Sequence, residues 1–305
     1  MIADERTVRL RGARLRVRTV GEGQPVLLIN GLGAHTGMWG PLERALAGRC
    51  VISFDAPGMG SSPMTLVQPT IRRLAGMANE LLDVLDVPLT DVVGYSFGGA
   101  VAQELALRSP ERVERLVLAA TTPGWGGVPG RWCSMMLVTT PLRYYSRRHY
   151  ERTIGTIAGG RARDDAAFIA RHGAERLVRP PNPVAYAGQL LAGATWSSWS
   201  RLGRLELPTL VISGGDDPLT PPVNGVLMAV RIPGARLVIV EREGHLMLLD
   251  DRSEALAPIV AFLDGHEVGS VADDEVLTRA FEQSGKGAPP WGPLSAVFRR
   301  AHRRA

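Results

Sequence analysis

The chain has 305 residues, 45% of them hydrophobic, which is enough for one large domain or for a core with an added lid. Its formal charge is +5, and all but Lys286 of the 35 basic residues are arginines. They are spread along the chain with no nucleic-acid-binding motif beside them, which argues against nucleic-acid partners.

The first six residues already carry charges, and no stretch approaches ~20 uninterrupted apolar residues. Neither a signal peptide nor a membrane span is expected, and a cytoplasmic location follows. Residues 7–20, "TVRLRGARLRVRTV", alternate apolar and basic around Gly12 and predict a hairpin with one wet face. "PVLLIN" (25–30) and "CVISFD" (50–55) are short continuous apolar runs, the pattern of strands buried on both faces. "TGMWGPLERALAG" between them predicts a short helix. Residues 70–87 carry a helical stripe of Leu74, Met77, Leu81, Leu82 and Leu85. A strand at 91–95, a helix at 97–108 and a strand at 115–120 continue the rhythm. Alternation of this kind predicts an α/β fold, a mostly parallel sheet with helices on both faces.

The rhythm breaks after Thr121 and resumes at Pro208 with a strand at 209–215, a helix near 221–231, a strand at 236–241 and a helix at 252–263. The break is too long for a bare loop. It holds helix signals of its own: Trp132, Met135 and Met136 at helical spacing, Asp164 and Asp165 as caps, and Asn182-Pro183 as a helix start. The expected organisation is therefore a core from 1–121 and 208–264, a helical lid at 122–207, and a polar tail at 265–305. Cys50 and Cys133 have no metal-ligand spacing and read as two ordinary buried thiols of a reducing cytosol. No metal cluster or dinucleotide fingerprint is present, so no cofactor is expected.

Gly94-Tyr95-Ser96-Phe97-Gly98 fits G-x-S-x-G between a buried strand and a helix, a turn that exposes the serine hydroxyl above the sheet edge. A serine hydroxyl is a weak nucleophile at neutral pH and needs a base, which in turn needs an orienting acid. His245 follows the last apolar strand and is the candidate base. "GGDDPLTP" offers Asp216 and Asp217; Asp217 is favoured as the acid, with Asp216 as a neighbour that shapes the turn. The backbone N–H of Phe97 and that of Leu32, in "NGLGA", are candidate oxyanion donors. In the lid, Trp132, Met135, Met136, Trp196 and Trp199 are candidates for an apolar acyl pocket, of which two or three would line it.

These motifs resemble the α/β-hydrolase superfamily. "FDAPGMGSS", "LVTTPLRYYSRRHY", "QLLAGATWSSW" and "AVRIPGARLVIVEREGHL" extend the resemblance to the intracellular medium-chain polyhydroxyalkanoate depolymerases, over about residues 7–263. The resemblance implies an α/β-hydrolase fold with an inserted helical lid, and a nucleophile, acid and base at Ser96, Asp217 and His245. It implies cleavage of medium-chain 3-hydroxyacyl esters, small or polymeric, through an acyl-enzyme. A thioesterase, a lactonase, a C–C bond hydrolase or a non-catalytic ligand-binding relative would share these residues. The basic, partly apolar end "AVFRRAHRRA" suggests a contact with an anionic or granule surface. The sequence does not fix an oligomeric state.

Overall fold

The computed structural model describes residues 3–269. One eight-stranded sheet runs through them in the order β1-β2-β4-β3-β5-β6-β7-β8. The strands are β1 (Ala3–Leu10), β2 (Ala13–Val20), β3 (Pro25–Ile29), β4 (Cys50–Phe54), β5 (Thr90–Tyr95), β6 (Val113–Ala119), β7 (Thr209–Gly214) and β8 (Arg236–Val240). β1 and β2 form the antiparallel hairpin that the alternating pattern predicts, turning at Arg11-Gly12. β2 joins β4 antiparallel, and the other pairings are parallel.

The period of two along each strand divides the core between the two faces. Leu27, Ile52, Val92, Leu116 and Val211 point to one side, where α2 (Ile71–Val84), α3 (Phe97–Arg108) and α8 (Val223–Arg231) cover them with Leu74, Val101 and Val226. Leu28, Val51, Val93, Val117 and Ile212 point to the other, beneath α1 (Gly40–Ala45) and α9 (Leu256–Leu263). Burial on both faces is why these strands read as unbroken apolar runs.

Two helices differ from expectation near a proline. In "TGMWGPLERALAG" a short 3₁₀ turn at Thr36–Trp39 precedes α1, with Pro41 in the first turn of α1. The last helix starts at Leu256 rather than 252. Pro258 fits only in a first turn, where its missing N–H has no intrahelical partner to lose.

Between β6 and β7 the chain leaves the sheet for α4 (Trp132–Val138), α5 (Arg147–Ala158), α6 (Ala166–Val178) and α7 (Pro183–Ala194). Three of these have side-chain caps. Ser146 Oγ accepts from His149 N, Asp165 from Phe168 N, and Asn182 from Val184 N and Ala185 N. Among the described residues no helix is long and apolar enough to cross a membrane.

Candidate active site

The turn from β5 into α3 puts Ser96 at φ 54°, ψ −118°, a conformation that non-glycine residues rarely adopt. Its N–H donates to Ala119 O at 2.9 Å, and Thr121 Oγ1 donates to its carbonyl at 2.7 Å, so both neighbouring strand ends hold it. The flanking glycines allow α3 to start this close to the sheet. A Cβ on Gly98 would lie 2.0 Å from Ile29 O, and one on Gly94 would lie 2.5 Å from Ala102 Cβ.

His245 sits in the loop after β8. Its Nε2 is 2.9 Å from Ser96 Oγ and its Nδ1 is 2.7 Å from Asp217 Oδ2. The carboxylate can only accept, so it assigns the ring proton to Nδ1 and leaves the Nε2 lone pair facing the serine hydroxyl. Asp217 is itself held by three donors: Leu219 N (2.8 Å) and Thr220 N (2.9 Å) on Oδ1, and Thr220 Oγ1 (2.6 Å) on Oδ2. Thr220 Oγ1 also lies 3.2 Å from His245 Nδ1, so this hydroxyl touches both Asp217 and His245. Tyr95, whose phenol burial pushes well above its ordinary pKa, donates to His245 O at 2.8 Å with its ring tilted against the imidazole. Asp216 faces away from the histidine. It accepts from Gly160 N at 2.7 Å and pairs with both Nε and Nη2 of Arg163.

The "NGLGA" loop lies across from the elbow. Gly33 has φ 71°, and a Cβ there would meet the Tyr144 and Tyr186 rings at 2.9 and 2.8 Å. Helical-segment side chains fix this loop: Tyr144 Oη donates to Leu32 O at 2.5 Å, and Gly33 N donates to Gln189 Oε1 at 2.9 Å. Among the described residues the Leu32 and Phe97 amides have no acceptor, and both residues border the space above Ser96.

That space is a cavity of about 480 Å³ with mostly apolar walls, lined in part by Ser96 and His245. Of the five lid side chains singled out in the sequence, Met135 and Trp196 line it. Trp132, Met136 and Trp199 do not. Trp132 and Met136 stand one turn apart on α4 and are exposed, while Met135, itself partly exposed, and the buried Val138 meet the cavity. Trp199 packs against the core, with Arg231 stacked on its ring at 3.7 Å. The residues that sequence reasoning missed are Thr220, Gln189 and two buried cavity arginines, Arg143 and Arg176. Only Thr220 had a local signal, as the residue three after Asp217 in a turn-forming Asp-Pro stretch.

The family model described as the alpha/beta hydrolase fold matches residues 24–252, three quarters of the chain. The protein belongs to that family. Within it, the chain is 40% identical over 237 residues to a poly(3-hydroxyalkanoate) depolymerase of Ectopseudomonas oleovorans, covering 77% of this chain and 82% of the relative. It is 29% identical over 243 residues to a pimeloyl-[acyl-carrier protein] methyl ester esterase of Nitrosomonas europaea, covering 78% and 94%. Among solved structures, a hydrolase from Pseudomonas aeruginosa superposes with a TM-score of 0.66 at 28% identity, covering 86% of this chain and 98% of that one. An N-acyl homoserine lactone degrading enzyme, Est816, gives 0.70 at 25% identity, covering 85% and 99%.

Proposed function

We propose that this protein is a serine ester hydrolase that cleaves medium-chain 3-hydroxyacyl esters, including polyhydroxyalkanoate, through an acyl-enzyme. The observation that carries the reading is the Ser96–His245–Asp217 relay opening into an apolar cavity of about 480 Å³. The depolymerase relative supports the choice of ester.

In this reading Ser96 Oγ attacks the ester carbonyl and gives its proton to His245 Nε2. The C–O bond to the leaving alkoxide breaks as His245 returns that proton to it. Water, deprotonated by the same nitrogen, then attacks the acyl-enzyme carbonyl and releases the acid and Ser96. Asp217 keeps Nδ1 protonated and stabilises the imidazolium. The Phe97 and Leu32 amides receive the negative oxygen at each tetrahedral stage, and the start of α3 adds its favourable dipole. The α4–α7 segment acts as the lid that excludes water from the acyl chain. A surface contact through residues 290–305 lies outside the described residues.

A chain-length series of p-nitrophenyl esters tests the reading. Each methylene moved from water into the cavity is worth ~0.8 kcal/mol. With incomplete burial, kcat/KM should rise about 10- to 1,000-fold from acetyl to octanoyl, and a medium-chain polyester suspension should clear. A peak at acetyl with no clearing would defeat the depolymerase assignment and leave a general esterase.

A further inference from the structure

Arg143 and Arg176 are both 5% exposed, and both line the cavity that contains Ser96. Neither forms an ion pair with any described carboxylate. Arg176 is the more extreme. No described residue accepts a hydrogen bond from it, and its Nε is buried without a partner.

What surrounds Arg176 is aromatic. Its guanidinium lies 4.5 Å from the Tyr144 ring centroid and 6.0 Å from that of Tyr150. Ring faces attract a cation but accept none of its five N–H groups in a planar hydrogen bond. The hydroxyls of the nearby tyrosines give their protons elsewhere, Tyr144 to Leu32 O, Tyr95 to His245 O and Tyr186 to Val138 O, with Tyr150 against His172 Nδ1; their oxygens keep lone pairs that a guanidinium N–H can meet, Tyr186 toward Arg143 among them, but they are neutral groups. Burial raises the Tyr186 phenol to about 12, so it supplies no negative charge at neutral pH. Arg143 stacks on Tyr144 and Tyr186 at 5.0 and 5.4 Å and gives Nη1 to Thr140 O. Arginine cannot shed its proton to escape burial. Two charges are thus held in an otherwise apolar cavity without a counter-ion, an arrangement that costs the fold unless something else supplies one.

We propose that the cavity carries an anion subsite, formed by Arg176 with Arg143, that binds a carboxylate on the ester substrate. The proposal rests on the ester-hydrolase reading above. In a 3-hydroxyalkanoate oligomer that carboxylate is the free acid end, so the subsite would favour cleavage near the chain terminus over cleavage of a fully neutral ester. A planar guanidinium fork matches a carboxylate in two parallel hydrogen bonds. The apolar walls would hold the alkyl chain while the arginines fix its direction.

Two substrate pairs test this, each differing only in one charge. A 3-hydroxyoctanoate dimer with a free acid end is compared with its methyl ester, which places the charge on the leaving group. The p-nitrophenyl monoester of octanedioic acid is compared with p-nitrophenyl octanoate, which places it on the acyl group. The wild-type enzyme should prefer the charged member of at least one pair, and the pair that responds tells on which side of the scissile bond the carboxylate sits. Arg176→Met should lower that charged-to-neutral ratio of kcat/KM about 10- to 100-fold, the range for hydrogen bonds to charged groups. It should also raise the melting temperature, because an unpaired buried charge is replaced by an apolar chain of similar volume, whereas a merely structural arginine would lower it. Should that variant not fold, inhibition of the wild type decides instead: octanoate should have a Ki at least tenfold below that of 1-octanol. Equal treatment of charged and neutral partners by an enzyme active on p-nitrophenyl octanoate overturns the subsite alone. Inactivity on every ester overturns the hydrolase reading with it.

Discussion

At the scale of single residues, the adjacent acids Asp216 and Asp217 have separate tasks. Asp217 faces His245 Nδ1, and Asp216 ties the turn to Gly160 and Arg163. Asp217→Asn should therefore cost far more kcat than Asp216→Asn, while Ser96→Ala and His245→Ala each lower kcat ~10⁴-fold or more, since these groups act as a unit. Single-turnover kinetics on p-nitrophenyl octanoate would check it, and a more damaging Asp216→Asn would reassign the acid. Thr220 gives a finer test. Its hydroxyl steadies the carboxylate oxygen that holds the imidazole, so Thr220→Val should lower kcat about tenfold with little change in KM, the loss of one charge-assisted hydrogen bond. A rescue by Thr220→Ser would tie the loss to the hydroxyl.

At the scale of elements, the elbow depends on close backbone approach. Gly98→Ala places a methyl group against Ile29 O, so β3 and α3 must separate. The variant should lose at least ~2 kcal/mol in urea unfolding, together with its activity, because the displaced helix start carries the Phe97 amide. How far elements could be read from sequence follows from where their information lies. The order of strands and helices, the hairpin and the elbow are local patterns, and so are the Asp165 and Asn182 caps. Ser96, Asp217 and His245 could be picked out because each follows a strand in a fixed order, and the structure brings them within hydrogen-bond distance of one another. The cavity wall was not. Aromatic and methionine content cannot tell Met135 from Met136, which differ by the rotation of one residue on α4. Arg176 looked like any basic residue of an arginine-rich chain, because its burial comes from tertiary packing against Tyr144 and Tyr150, which lie far from it in sequence. Leu32 was placed by its glycines, but the tyrosine and glutamine that pin its loop come from more than a hundred residues away.

At the scale of the whole molecule, two other histidines contribute to the response to acid, against an opposite contribution from Asp91, whose carboxyl is pushed up to about 6 by burial. His35 and His172 are buried, and desolvation lowers both below the ordinary value near 6.5, His172 well below it. The unfolded chain takes up protons there that the folded chain refuses. Their contribution to stability is therefore fully present above pH 6.5 and should fall as the pH drops below it, with a slope of at most ~1.4 kcal/mol per unit for each histidine. Urea unfolding between pH 5 and 8 measures this, and His172→Gln should flatten the curve. The attachment of the helical segment to the sheet domain has its own consequence. His245 N donates to Ala158 O at the end of α5, Gly160 N donates to Asp216, and Gly244 lies against Gly159 and Gly160 without room for a Cβ. One edge of the helical segment is thus riveted to the strand-end loops that bear His245 and Asp217. Swinging that edge away would drag the imidazole off the serine. Any molecule that reaches Ser96 while the His245–Ser96 contact stays intact must therefore do so without displacing the end of α5.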